Sequence, residues 1–193
     1  MSAEAAKSIV ESIRKALHEG GQGGGNTLQE ILLVPKDGKK LIRFLTEFDK
    51  ALPIIMHDQF KVMYPQPCLR YYEEPCPFHG ESGFRETTQY AFTVWDYESQ
   101  SKRVAMWKAT AAGPMEDLLY QFDKNSTITD RDWEIKRSGT GTKGTTRARS
   151  MDPAPFEGKL SQPFPEERVM EIVKGLIAAR TLADLAGKIK EGE

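Results

Sequence analysis

The chain has 193 residues, 39% of them hydrophobic, enough to bury one core of ordinary size with a small satellite and too few for two full domains. With 27 basic and 28 acidic side chains, its net charge points to neither a nucleic-acid nor a membrane partner, and no apolar run is long enough to span a bilayer. The charge is nevertheless local: residues 136–150, KRSGTGTKGTTRARS, carry five basic side chains and no acid. The opening MSAEAAKSIV has no apolar signal segment, which argues against an oxidising compartment.

In chain order, residues 3–18 place Ile9, Ile13, Ala16 and Leu17 at helical spacing, and the GGQGGG that follows cannot continue a helix. Residues 1–26 therefore read as a helix on a flexible linker, with His18 at the helix end and no role assigned to it. Two apolar runs, 30–35 and 39–45, flank Lys36-Asp37-Gly38 and predict a first β-hairpin. The stretch 53–86 is rich in Pro and aromatics without clear periodicity, as expected of a small subdomain in which an ion substitutes for a core. Alternation in 89–97 and 103–109 predicts a second hairpin, Gly113-Pro114 opens a short helix, and 133–137 with 145–151 predict a third hairpin across SGTGTKG. A Pro-containing loop then leads to an amphipathic C-terminal helical segment within 161–193. This order predicts a mainly β (α+β) protein. The expected form is an OB-like antiparallel barrel over 27–160, with an insertion at about 53–86 and helices at both ends. A half-open α+β sandwich is the competing arrangement.

The insertion holds both cysteines and two of the three histidines, as His57, Cys68, Cys76 and His79. Zinc takes imidazole nitrogen and thiolate sulfur in a tetrahedron, and Cys76-Pro77-Phe78-His79 is short enough to grip one face of the ion while His57 and Cys68 close the other. A short disulfide loop or two buried reduced cysteines are the plainer alternatives. Four protein ligands would make the zinc structural, with no open position for an activated water. A hydrolase with three ligands and a metal-bound water is the remaining enzymatic alternative. Gly139 to Gly144 has the outer glycine spacing of a phosphate loop, but Lys143 precedes Gly144 and no helix follows. With no Ser/His/Asp arrangement and no distinguished acidic pair, the chain reads as non-enzymatic.

Aromatic and basic side chains interleave on the predicted strands, the pattern by which single strands are bound through base stacking and backbone phosphate contacts. The stacking candidates are Tyr71, Tyr72, Tyr90, Trp95 and Trp107. The phosphate candidates are Lys108, Lys136, Arg137, Lys143, Arg147 and Arg149. Any of these aromatics could equally belong to the core, and a one-residue register change would exchange buried and exposed members of each strand. A zinc-stabilised protein-interaction module, or a binder of single-stranded RNA, would use the same features.

These residues resemble the T4-type phage single-stranded DNA-binding (helix-destabilising) proteins. The ligand order His57, Cys68, Cys76-x-x-His79 is similar to that family's His, Cys, Cys-x-x-Cys, with His in the last place, and LIRFL, YAFTVWD and ITDRDWEIKRSGTG stand in the corresponding strand context from about Lys40 to Pro155. The resemblance implies an OB barrel with one structural Zn2+, acting in the cytoplasm of an infected host cell. There it would coat transient single-stranded DNA during phage replication, recombination and repair, with little sequence preference. It also implies cooperative self-assembly and contacts with phage replication and recombination proteins. The chain departs from the family in lacking both a short basic N-terminal segment and an acidic C-terminal tail.

Overall fold

The structure is a computed structural model that describes residues 27–59, 63–73, 76, 85–111, 113–139, 144–156 and 162–176. The helix expected at 3–18 and the hairpin tip 140–143 lie outside the described residues. The strands are β1 (Lys39–Phe44), β2 (Leu52–Gln59), β3 (Met63–Pro67), β4 (Arg85–Asp96), β5 (Ser101–Lys108), β6 (Arg131–Ser138) and β7 (Thr145–Pro153). The helix α1 (Pro114–Asn125) lies between β5 and β6, and a second, α2, spans 166–176. Neither of these helices is long and apolar enough to cross a membrane.

The protein is mainly β. Its sheet has the strand order β3-β2-β4-β1-β6-β7, with β5 on β4. Pairing is antiparallel between β1 and β4, β1 and β6, β4 and β5, β6 and β7, and β2 and β3. Among the described residues the sheet does not close into a barrel. Two compact units divide the chain, one of Gln29–Ile54 and Thr88–Met170, the other of Met1–Leu28, Ile55–Thr87 and Glu171–Glu193.

In the larger unit, alternation along the strands sends Ile42, Phe44, Phe92, Val94, Trp133, Ile135 and Ala148 to one face, where they are buried with Met115 and Leu118 of α1. Phe44 is the centre of this core, meeting Phe92 edge-on at 5.4 Å and Trp133 edge-on at 5.6 Å between ring centroids. The Trp133 indole N–H donates to the Ile128 carbonyl at 2.9 Å, so its one polar atom is satisfied inside the core. Pro114 opens α1 where a missing N–H costs nothing, as its sequence position predicts. The second and third hairpins form as expected, with β4 on β5 and β6 on β7. Val169, Ile172, Val173 and Leu176 of α2 are buried at the spacing of one helical face.

The first hairpin does not form. Lys36 and Asp37 do make a turn, in which Gly38 N–H donates to the Pro35 carbonyl at 3.1 Å. Both edges of β1 are taken by β4 and β6, so the upstream run cannot pair with it. Ile31 instead forms a parallel bridge with Val104, and Leu32 N–H donates to the Val104 carbonyl at 2.9 Å, covering the outer edge of β5. The stretch without clear periodicity contains β2 and β3, with Met56 opposite Pro67 and His57 opposite Gln66.

Candidate functional site

In the smaller unit, Cys68 follows β3 and its N–H donates to the Ile55 carbonyl at 2.8 Å. The register sets Met56 opposite Pro67, so Cys68 stands opposite Ile55 and diagonal to His57 on the same face. A 3₁₀ turn at Leu69–Tyr72, ended by Glu73 in the left-handed region at φ 59°, then brings the chain back to Cys76. His57, Cys68 and Cys76 converge: their ligand atoms all lie within 4.8 Å of one another, and His57 Nε2 is 3.2 Å from Cys76 Sγ. Tetrahedral zinc with these donors has ligand–ligand edges of about 3.5–3.8 Å, which falls within the range the three ligand atoms span. His57 is 1% exposed and Cys68 4%, and both cysteines are free thiols. His79 lies outside the described residues.

Burial pushes the Cys68 thiol up from its ordinary value, the Arg70 backbone N–H beside it opposes this, and the neighbouring Cys76 and Glu86 raise it further. The buried Cys68 thiol is costly to charge without a cation. A divalent ion supplies that charge and holds both sulfurs as thiolates. The donor set of one imidazole and two thiols therefore suits a borderline-soft metal ion, and the cluster can hold one.

The second candidate surface is the sheet face opposite the core. The register lines up side chains across strands: Lys39 opposes Lys136, which opposes Arg147, giving a row of three basic residues. In the next row Leu41 opposes Glu134, which opposes Arg149. Glu134 accepts from Lys39 Nζ at 2.8 Å, and this bond, with Arg149 and Lys136 adding to it, holds its carboxyl below the ordinary range. A third row runs Asp132, Arg43, Trp95, Lys102.

The predicted contact residues thus separate. Lys136, Arg147 and Arg149 share the outer face and are exposed, whereas Arg137, paired with Thr146, points to the other face, and Lys143 lies outside the described residues. The Arg147 guanidinium is tied to both carboxylate oxygens of Asp117 on α1, and the same carboxylate accepts from Ala148 N–H at 2.8 Å. Lys108 stands opposite Gln89 on the outer face. Tyr90 and Trp107 face each other across β4 and β5 on the core side and pack against the core. Trp95 is on the outer face but only 7% exposed, beneath Phe156. Tyr71 and Tyr72 lie in the 3₁₀ turn after Cys68, their side chains outside the described residues.

Lys39, Arg43 and Lys102 join this face without having been singled out by sequence pattern, and Tyr97 lies on the same face as Trp95, as alternation along the strand predicts. Alternation alone could have put Lys39 and Arg43 on one side of β1, but only the pairing shows which strands flank them. The hairpin end carrying the basic run is tied down by Gly139, at φ 81° where a side chain would be strained, whose N–H donates to the Asp37 carboxylate at 2.8 Å. Comparison of the chain with known protein families, curated proteins and solved structures finds no match, so the family resemblance rests on its own motifs.

Proposed function

We propose that the protein binds single-stranded DNA with little sequence preference, through the outer face of β1, β6 and β7. The observation that carries this reading is the cross-strand row Lys39, Lys136 and Arg147, with Arg149 in the adjoining row. Strand pairing sets the backbone positions of these residues in line, about 5 Å from one strand to the next. The order β5-β4-β1-β6-β7 with α1 between β5 and β6 supports an OB arrangement left open between β5 and β7. Zinc is the ion that best suits the cluster, with His79 as fourth ligand; in that closed set it would support the fold and take no part in chemistry. This non-enzymatic role is the one the phage family resemblance implies, and RNA is the competing single strand.

The test is a titration of labelled oligo(dT), the matching RNA and a duplex, by fluorescence anisotropy over a range of salt. Preferential, salt-sensitive binding of oligo(dT) supports the proposal, and equal affinity for the duplex, or no binding at low salt, removes it. One observation favours a second reading, a protein-docking module: Leu119 and Tyr120 are exposed side by side on α1, at 45% and 69%. Replacing both with Ser should leave oligonucleotide affinity unchanged.

A further inference from the structure

The row Arg43, Trp95, Lys102 is covered by the chain itself. After β7 the backbone leaves the edge of the sheet at Pro153 and crosses its outer face. Ala154 N–H donates to the Asp130 carbonyl at 3.0 Å, and the Ala154 carbonyl accepts from the Arg43 guanidinium. The Phe156 ring lies under that guanidinium, 5.5 Å from centroid to Cζ, and 6.3 Å from the rings of both Trp95 and Tyr97. Further along, Phe164 N–H donates to Thr93 Oγ1 at 3.1 Å, and its ring lies 5.8 Å from Lys102 Nζ.

Two flat rings thus sit on a β-sheet face, each beneath a cation, and one of them between a tryptophan and a tyrosine. Phe156 meets Trp95 tilted at 52° and Tyr97 edge-on at 84°; the partners themselves, aromatic side chains and a cation on one sheet face, are those an unpaired base uses on a single-strand binding surface. The sequence of the covering segment suits a removable occupant. Prolines alternate with its contact residues, at 153, 155, 163 and 165, so it cannot pair as another strand and is held by isolated hydrogen bonds and the two rings.

We propose that Arg43, Trp95, Tyr97 and Lys102 form the base-stacking site of this protein, and that residues 154–156 and 162–165 close it by placing Phe156 and Phe164 where bases would bind. The inference rests on the single-strand binding reading and adds where the bases go and what must leave first. Phosphates engage the exposed Lys136 and Arg149 of the same face, and the bases then compete with the two rings. The apparent affinity is reduced by the fraction of molecules in which the strap is closed.

Amide hydrogen exchange of the unmodified protein, with and without saturating oligo(dT), tests the proposal. The amides of Ala154 and Phe164 are expected to exchange at least about tenfold faster in the complex, because displacement of the strap removes their acceptors. Exchange that is unchanged or slowed while the oligonucleotide is demonstrably bound overturns the inference and leaves the proposed function standing. A second measurement uses Phe156→Leu with Phe164→Leu, which keeps apolar volume over Trp95 and removes both ring–cation contacts. Affinity for oligo(dT) is expected to rise about tenfold. Binding by this variant alone also supports the strap, and equal affinity for the two proteins overturns it. If neither binds oligo(dT) at low salt, the function proposed above fails and the inference fails with it.

Discussion

Replacing Lys136 and Arg149 together with Ala removes two exposed cations from the outer face without removing a hydrogen bond that holds the sheet. On a single strand each phosphate contact contributes about 0.7 to the slope of log K against log salt. Losing two contacts should flatten the slope by about 1.4, which corresponds to about 25-fold weaker binding at about 0.1 M salt and almost no difference near 1 M. The assay is anisotropy of labelled oligo(dT) at five or more salt concentrations, with the urea midpoint of each variant measured alongside. Arg137→Ala is the control, because its pairing with Thr146 puts it on the opposite face; it should leave the slope unchanged. An unchanged slope in the double variant, or an equal loss in the control, would refute the assignment of phosphate contacts to this face.

The other predictions concern the parts that hold that face and the metal cluster. Arg147→Ala breaks the pair with Asp117 at a half-exposed position and should cost about 0.5–1 kcal/mol in urea unfolding. Asp117→Ala should cost more, about 1–3 kcal/mol, because the Ala148 N–H loses its acceptor as well; equal losses would contradict the bonding. His57→Ala and Cys68→Ser should each reduce bound zinc from about one ion per chain towards none by elemental analysis, and chelator should lower the melting temperature of the unmodified protein only. Retention of a full equivalent of zinc by either variant would remove these residues from the ligand set. The Tyr97 phenol is pushed up to about 12, first by burial and then by its hydrogen bond to the Asp132 carboxylate. Because the fold favours the neutral phenol, the associated stability is complete below about pH 10 and is lost as pH rises towards about 12. Ultraviolet titration of tyrosinate should show a late-ionising component that Tyr97→Phe removes. Asp132→Asn should bring it down part of the way, since burial remains.

How much of this was legible in the chain depended on the range of the interaction. The β4 and β5 hairpin and the β6 and β7 hairpin announce themselves by alternation across short polar turns, which is a local property. Pro114 marks the start of α1 for an equally local reason. The run at 30–35 was misleading because its apolar character is real but its partner is not its neighbour in sequence: Val104 on β5 takes it, since β4 and β6 occupy β1. The strands in the insertion were hidden because Pro and aromatic residues interrupt any period of two, and their pairing shows only in the register of Met56 with Pro67.

The sequence by itself determined which residues could ligate a metal and where the basic charge is concentrated, because ligand chemistry and charge belong to residues one at a time. Three of the four candidate ligands, His57, Cys68 and Cys76, do meet in space. Only the tertiary structure decided which side chains act together. Strand pairing between residues about a hundred positions apart aligned Lys39 with Lys136, the register of the β6 and β7 hairpin set Arg137 on the face opposite Arg149, and the packing of α1 beside β7 gave Arg147 to Asp117. It also placed Trp95 beneath Phe156, so that an aromatic legible as a stacking residue is covered by a segment 61 positions further along. A period of two assigns each side chain to one of two faces, and long-range hydrogen bonding alone decides which residues lie beside it and what covers them.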